Sequence, residues 1–339
     1  MKADVLNCLY HSYYDQWDGF SDVTSSHWRS HGWHKVYRDP NGEFKLAGGG
    51  FGDFQSRSPL HFLRSFGVQR ELRKLAKTYP CDNTMLRVGE EVAKAQGRLF
   101  SFDCLKQVLS LSRLLSVLQS DGESTRSGMG GVGGRLTSLG IKRVCVIGDG
   151  YGYLGSFLKA VDSGIEVTFV NLGRGLFFDV HYSLLSHPQA RLYLVGESAS
   201  DPSTPADFVF LPAENYSVLS QMPQDLVLNV ASMQEMNISV VRNYMDYIRP
   251  KQASENVLFY CCNRREKTLP AGEVVKFSDY GWHETDEVYF DEPCPWYQKF
   301  PHGILGRYLP FDGEILHRFV SLAPGTSAHI NELKQVDLK

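Results

Sequence analysis

The sequence lacks several features that would assign it to a particular class of protein. It has no apolar run of about 18 residues, the length that a membrane-spanning helix needs, so we expect no transmembrane segment. It also lacks an excess of basic residues, because 35 Lys and Arg stand against 38 Asp and Glu and leave a formal net charge of −3. Proteins that bind nucleic acid usually carry a basic surface, so we expect no nucleic-acid partner.

Cysteine is scarce and follows no ligand or disulfide pattern. The seven cysteines are an odd number, and no C-x-x-C motif is present, which excludes zinc-ribbon and thioredoxin-like sites. The first residues also lack the basic and then apolar layout of a signal peptide. These absences predict a reduced, cytoplasmic protein.

Metal-binding patterns are weak as well. His27, His31 and His34 could ligate a metal, but neither a carboxylate nor a cysteine stands at a supporting spacing. We favour the interpretation that these histidines belong to an aromatic loop packed on the rest of the protein, and we expect no metal site.

The stretch Lys142–Gly155 is the most informative part of the sequence. The apolar, β-branched run Val144–Ile147 ends at three glycines in a G-x-G-x-G pattern, Gly148, Gly150 and Gly152, and an apolar helical pattern follows at once. A buried strand, a tight turn and a helix explain this order, because glycine permits backbone angles and close approaches that a Cβ would block. The stretch therefore predicts the nucleotide-binding turn of a Rossmann-like domain.

After this turn, apolar runs typical of strands alternate with helical patterns, which predicts an α/β fold with a parallel sheet and helices on both faces. We divide the chain into a mainly helical N-terminal cap at 1–120, a glycine-rich linker or lid at 121–140, a Rossmann-like domain at 141–300 and a C-terminal extension at 301–339. The predicted strands are 143–148, 165–170, 191–195, 207–211, 226–230, 257–261 and 287–290.

Polar residues at the ends of these strands carry the functional argument, because ligands of such sheets bind at the carboxyl ends of the strands. Asn171 stands about 20 positions after the glycine turn, where an acidic residue usually holds the ribose hydroxyls, and an amide can also bind a hydroxyl. Arg174 could receive the 2′-phosphate of NADP. An NADP-dependent oxidoreductase is therefore one alternative. Further along, Ser232 could cap a helix with Glu235 in a capping box, or could face the ligand.

Three segments of the sequence carry a resemblance to a known family. They are Gly148–Gly152, Asn229–Met236 and Asn263–Lys267, and the Ser-Met-Gln-Glu-Met element at 232–236 is the most specific part. They resemble the sugar O-methyltransferase family of the class I S-adenosylmethionine-dependent methyltransferases, over roughly residues 140–300. The resemblance implies a seven-stranded sheet whose last strand is antiparallel, with S-adenosyl-L-methionine as the cofactor.

The resemblance also implies roles for individual residues. The cofactor would lie across the glycine turn with its ribose near the end of the second strand. The residues expected to bind it are Gly148, Asp149, Gly150, Tyr151, Gly152, Asn171 and Asn229. Two acids that are usual in this class are missing, since Val146 stands two positions before the first glycine and Asn171 ends the second strand. Asp149 can supply part of this charge, and a non-catalytic nucleotide- or adenosyl-binding protein is the other alternative.

Methyl transfer to a hydroxyl needs an aligned oxygen and a group that removes its proton. We expect Glu235 and His283 to be the candidate bases, and His283 stands beside two acids that could orient it. The residues expected to bind the acceptor are Ser232, Gln234, Arg264 and Trp282. The sequence thus predicts an enzyme that O-methylates a sugar-like or other hydroxylated small molecule, and it leaves room for a homo-oligomer.

Overall fold

The computed structural model describes residues 2–16, 19–30, 35–42, 44–47, 81–121, 135–196, 205–252, 254–302 and 307–325. His31 and His34, most of the expected linker and the end of the C-terminal extension lie outside these residues.

The N-terminal region is mainly helical. Its helices are α1 (Lys2–Tyr10), α2 (Ser26–Ser30), α3 (Asn83–Ala95) and α4 (Phe102–Asp121), and a short hairpin joins β1 (Lys35–Arg38) to β2 (Phe44–Ala47). Asp82 begins α3, because its carboxylate accepts the backbone N–H of Thr84 at 2.8 Å and so satisfies one of the unpaired donors of the first turn. None of the helices in the described residues combines the length and the apolar character needed to cross a membrane.

An eight-stranded sheet forms the centre of the molecule. Its strands are β3 (Arg143–Ile147), β4 (Glu166–Asn171), β5 (Leu192–Leu194), β6 (Phe208–Pro212), β7 (Leu226–Val230), β8 (Val257–Arg264), β11 (Glu287–Pro293) and β14 (Ile315–Leu322). Two hairpins lie outside it, β9 (Glu266–Thr268) with β10 (Val274–Lys276), and β12 (Lys299–His302) with β13 (Arg307–Pro310).

The order of the strands is β11-β14-β8-β7-β3-β4-β6-β5. The strands from β3 to β8 pair in parallel, and β14 runs antiparallel between β8 and β11. This arrangement confirms the predicted α/β fold and the antiparallel last strand. The sheet has one strand more than the implied seven: the seven predicted strands correspond to β3 to β8 and β11, and β14 is the strand that the sequence did not predict. Since β14 lies inside the sheet, the sheet continues past residue 300.

Alternate residues of each strand serve the two faces of the sheet. In β3, Val144 and Val146 join one hydrophobic core, and Cys145 and Ile147 join the other. The first core is covered by α3, α4, α5 (Tyr153–Val161) and α6 (Gly173–Ser186), and the second by α7 (Ile238–Ile248) together with a 3₁₀ segment at 213–221. Burial on both faces explains why these strands read as nearly continuous apolar runs.

Candidate functional site

A cavity of about 440 Å³ opens at the carboxyl edge of the parallel strands. It follows the ends of six neighbouring strands, β14, β8, β7, β3, β4 and β6, and the lining residues at these ends are Ile315, Cys262, Val230, Gly148, Asn171 and Ala213. Because neighbouring strands lie roughly 4.8 Å apart, the cavity spans about 24 Å. We call the part beside β3, β4 and β6 the turn end, and the part beside β7, β8 and β14 the far end.

The glycine turn forms the floor of the turn end. Gly148, Gly150 and Gly152 have φ angles of 72°, 85° and 62°, in the left-handed region that favours glycine. A Cβ on Gly148 would stand 2.2 Å from the Oγ of Ser232, and one on Gly152 would stand 2.7 Å from the carbonyl oxygen of Asp179. The turn therefore needs glycine both for its backbone angles and for its close packing.

Two carboxylates occupy the N-terminus of α5, which follows this turn. Asp149 accepts the backbone N–H groups of Leu154 at 3.1 Å and Gly155 at 2.8 Å. Asp179, on α6, accepts the N–H of Gly152 at 2.8 Å. Backbone donors that are usually available to an anion at such a helix end are thus already engaged by acids of the same chain.

Burial sets the protonation of these two acids. It raises the pKa of Asp149, although the N–H groups of Gly155 and Leu154 oppose the shift. It raises the pKa of Asp179 further above its usual range, and the negative charge of Asp149 adds to the effect. Arg98 opposes both shifts through its positive charge, and its Nη2 donates to the carbonyl of Tyr151 at 2.9 Å. Burial thus opposes the ionisation of both acids, and a positive ligand at the turn end would favour their charged forms.

Asn171 lies at the turn end, at the end of β4. Its Nδ2 donates to Asp179 at 2.9 Å, and its Oδ1 accepts the N–H of Leu172 at 2.9 Å. An amide oxygen has two lone pairs, so Oδ1 keeps one for a ligand hydroxyl. Gly175 lies below the amide, since a Cβ there would stand 2.7 Å from Oδ1.

Asn229 lies beneath the cavity rather than in its lining. It is fully buried, its Nδ2 donates to the carbonyl of Ile147 at 2.8 Å and to Ser232 Oγ at 2.6 Å, and its Oδ1 accepts from Asn263 at 2.7 Å. Asn263 in turn accepts the N–H of Gln234 at 3.1 Å. These amides join the ends of β3, β7 and β8, so Asn229 acts through the shape of the strand ends.

Ser232 and Gln234 line the cavity, but the expected capping box does not form. The Oγ of Ser232 donates to the carbonyl of Ile147 at 3.1 Å and makes no cap for the 3₁₀ turn Met233–Glu235. The residue before Ser232, Ala231, has a positive φ of 61°, which turns the chain toward the cavity. The Oε1 of Gln234 accepts the N–H of Arg264 at 2.7 Å.

Glu235 lines the mouth of the cavity and is held from two sides. Its Oε1 lies 2.7 Å from the Nζ of Lys267, and its Oε2 lies 3.5 Å from the Nε2 of His27. The hydroxyl of Ser25 donates to its backbone carbonyl, and both Ser25 and Trp28 line the same cavity. The N-terminal segment therefore contributes to the site, next to the candidate base.

The structure places His283 at the opposite edge of the sheet. The backbone N–H of His283 donates to the carboxylate of Asp286 at 2.8 Å, and this carboxylate also accepts the backbone N–H of Ala323 at 2.9 Å. Ala323 follows Leu322, which pairs with Val257 at the amino end of β8. Cys262, the residue of β8 that lines the cavity, lies five residues beyond Val257, so about 17 Å of strand separate this edge from the cavity and His283 is not placed to act as a base there.

Trp282 and Arg264 also stay outside the lining. Trp282 Nε1 donates to the carbonyl of Phe277 at 2.7 Å, and its ring stacks on Phe259 with the centroids 5.7 Å apart. It thus belongs to the second core. The guanidinium of Arg264 lies 5.8 Å from the ring centroid of Phe311, which lines the far end, so Arg264 supports a wall of the cavity.

Several residues of the site carry no signal in the sequence. Arg98, Ser25 and Trp28 come from the N-terminal region, and Asp179 stands in mid-helix. No motif links these residues to the glycine turn, and only the folded chain brings them together. Among the described residues, no group of three or more His, Cys, Asp and Glu side chains could hold a metal ion.

Comparisons with known proteins add a likeness of fold. No family model matches the sequence, and no curated protein sequence matches it. One similar solved structure is a mutant of MtNAS in complex with S-adenosylmethionine, 13% identical, with 78% of each chain covered and a TM-score of 0.32. Another is the mitomycin 7-O-methyltransferase MmcR, 13% identical, with 78% of this chain and 69% of that chain covered and a TM-score of 0.32. Likeness at this level does not decide an activity.

Proposed function

We propose that this protein is an S-adenosyl-L-methionine-dependent methyltransferase. The observation that carries the proposal is the pair of acids at the N-terminus of α5. The N–H groups of Gly152, Leu154 and Gly155 already donate to Asp179 and Asp149. Such an end favours a ligand that is positive beside the turn and carries no phosphate. Adenosylmethionine, with its ammonium and sulfonium groups, is a ligand of this kind.

The same observation argues against an NADP-dependent oxidoreductase. A dinucleotide places its pyrophosphate on free N–H groups at the helix N-terminus, and here those of Gly152, Leu154 and Gly155 already donate to the two acids. Arg174, the residue expected to hold a 2′-phosphate, donates from Nε to the carbonyl of Tyr13 at 2.9 Å. It lines a separate cavity of about 330 Å³, together with Glu214, which adds negative charge there.

The remaining lining of the turn end fits an adenosyl group. The second lone pair of Asn171 Oδ1 can accept a ribose hydroxyl. Leu172, Ala213 and Tyr244 offer apolar surface beyond it for adenine. Tyr151 and Phe178 place aromatic rings beside the glycine turn, with their centroids 5.2 Å apart, and aromatic faces attract cations. When bound, the sulfonium supplies an activated methyl group.

We assign the role of general base to Glu235. It is a carboxylate in the lining of the cavity, and Lys267 and His27 fix its position. A positioned base removes the proton of an acceptor hydroxyl while the methyl group is transferred. We therefore propose O-methylation of a hydroxylated small molecule, with the sugar-like acceptor of the sequence resemblance as one candidate.

Calorimetry with three ligands tests the proposal. We expect adenosylmethionine and adenosylhomocysteine to bind to the purified protein, and NADPH to bind at least about a hundredfold more weakly. Tight binding of NADPH without binding of either adenosyl ligand would overturn it. Transfer of a labelled methyl group to any hydroxylated acceptor then separates an enzyme from a non-catalytic adenosyl-binding protein.

A further inference from the structure

Two aromatic rings form the outer wall of the far end. Tyr297 and Phe311 both line the cavity, and their ring centroids lie 6.2 Å apart with an angle of 25° between the ring planes. Val230, Cys262 and Ile315, at the ends of three adjacent strands, line the same end of the cavity. We call this end, with its nearly parallel rings and its apolar sheet edge, the slot.

Lys106 holds this wall from behind. Its side chain is only 1% exposed, and its Nζ lies 3.9 Å from the ring centroid of Tyr297 and 4.9 Å from that of Phe311. Its charge is paired with Asp103, whose Oδ1 is 3.1 Å away. A buried ammonium on ring faces is a desolvated cation–π contact, which fixes the orientation of both rings.

Hydrogen bonds hold the segment that carries Tyr297. The indole N–H of Trp296 donates to Ser110 Oγ of α4 at 3.2 Å. The Nε2 of Gln298 donates to the carbonyl of Ile315 at 2.8 Å. The wall is therefore formed before a ligand arrives, and the ligand loses little affinity to ordering it.

The polar side chains at the far end are largely engaged within the protein. Gln234 accepts a backbone N–H of β8, Ser232 donates to the last carbonyl of β3, and Asp103 is paired with Lys106. A sugar brings several hydroxyl groups, each of which needs a partner when it leaves water. The polar groups that this end still offers among the described residues are the amides of Gln107 and Gln234 and the second oxygen of Asp103, and the lining at the strand ends beside them is apolar or aromatic.

We infer that the acceptor is a flat aromatic compound with a phenol-type hydroxyl, bound in the slot between the rings and the sheet edge. This inference rests on the proposed methyl transfer. The phenol loses its proton to Glu235 or to water, an oxygen lone pair forms the new O–CH₃ bond, and the S–CH₃ bond breaks with its electron pair left on sulfur. A phenol has a pKa of about 10, so a carboxylate base suffices more readily than it would for an alcohol.

A two-stage calorimetric experiment tests this inference. The protein is first saturated with adenosylhomocysteine and then titrated with 2-naphthol or with methyl α-glucoside as probes. We expect 2-naphthol to bind at least about tenfold more tightly than the glycoside, because only the flat ring stacks against both aromatic faces. Phe311→Ala should weaken 2-naphthol about tenfold and leave adenosylhomocysteine unchanged. Leu309→Ala, an exposed position on β13, is the matched control.

The outcomes separate the two claims. Failure of adenosylhomocysteine to bind would overturn the proposed function, and this inference with it. If adenosylhomocysteine binds and the glycoside binds more tightly than 2-naphthol, or neither probe binds, the methyltransferase stands and the aromatic acceptor is wrong. Equal binding of 2-naphthol to Phe311→Ala and to the unaltered protein would also overturn it. Phe311→Leu keeps an apolar side chain, so its affinity for 2-naphthol should lie between that of Phe311→Ala and that of the unaltered protein.

Discussion

The two ends of the cavity differ in the groups that form them: mainly backbone at the turn end and mainly side chains at the far end. The turn end consists of left-handed glycines and of backbone N–H groups bound to Asp149 and Asp179. The far end consists of side chains, above all Tyr297 and Phe311, on a segment that precedes the last strand. Main-chain geometry admits few substitutions, whereas a side-chain wall can be changed without disturbing the sheet. Under the proposed function, the donor site would therefore tolerate few substitutions, and the acceptor site beside it would be altered more easily.

The largest effect should come from the turn end. Gly148→Ala puts a Cβ 2.2 Å from Ser232 Oγ at a φ of 72°, and the combined clash and strain are worth roughly 4 kcal/mol. The turn must move to relieve them, so we expect affinity for adenosylhomocysteine to fall about a thousandfold. Gly140→Ala is the control, because Gly140 has a φ of 84° but nothing within 4 Å of its Cβ position. Equal affinities in both variants would contradict the assignment of the donor site.

Glu235, in the lining just after β7, should affect the rate of methyl transfer rather than the binding of the donor when it is substituted. We expect Glu235→Gln to lower kcat about a hundredfold, the lower range for loss of a general base, with adenosylhomocysteine affinity nearly unchanged. Lys267 and His27 keep a polar partner in the amide. Glu273→Gln, near the same N-terminal segment, is the matched control. Full activity in Glu235→Gln would show that another group removes the proton.

Donor binding should also depend on pH. Burial raises the pKa of Asp149, and a cationic ligand favours its ionised form, so affinity should fall as the pH drops through the raised pKa. The loss is at most about tenfold per pH unit for one proton. Asp149→Asn should weaken the binding of adenosylmethionine about tenfold at high pH, and it should make the affinity depend less on pH. The pH dependence that remains would come from Asp179, whose pKa is also raised. Calorimetry from about pH 5 to about pH 8 measures this, with Asp22→Asn as the control. A rise in affinity toward low pH would contradict the sign.

A smaller effect should follow at the far end from Lys106→Met. The substitution keeps the apolar stem but removes the cation from the rings of Tyr297 and Phe311. We expect KM for the acceptor to rise about threefold, as for a modest cation–π contact, with adenosylhomocysteine affinity unchanged. Lys94→Met, at an exposed position of α3, is the control. A larger change in donor affinity than in acceptor KM would mean that the two ends are not independent.

The smallest effect should come from substituting His283, at the edge of the sheet opposite the cavity. His283→Ala should leave kcat and both affinities unchanged, because about 17 Å of strand separate the edge where His283 lies from the cavity. Steady-state kinetics measure this directly. A loss of activity in a variant whose unfolding temperature is unaltered would contradict this placement.

Much of the fold could be predicted because each central strand is a short, buried apolar run. The observed bounds of β3 and β7 agree with the predicted ones within a residue. The strand β14 was harder, because its residues follow a turn-rich stretch and pair with β8 across more than fifty positions. Sequence patterns show local periodicity, and they do not show that a strand late in the chain, such as β14, pairs between β11 and β8.

The site could be predicted only where it depends on the turn itself. Gly148, Gly150, Asp149 and Asn171 line the cavity, since a strand followed by such a turn must end at the carboxyl edge. His283 was a candidate because of its neighbours in sequence, but nearness in sequence does not tell which edge of the sheet a loop reaches. The contact between Ser25 and Glu235 joins residues 210 positions apart, and no local pattern encodes it.

The N-terminal residues that line the cavity, Val23, Ser25 and Trp28, have a consequence for the timing of turnover. The segment that carries them is fastened on one side by the bond between Tyr13 and Arg174, and on the other by those of Ser26 with Glu273 and Ala271. Trp28 lies in the lining, two residues after Ser26. A ligand that passes beside this segment would therefore be slowed by the hydrogen bonds that hold it in place. We expect the departure of spent donor, rather than bond making, to set the pace of the catalytic cycle.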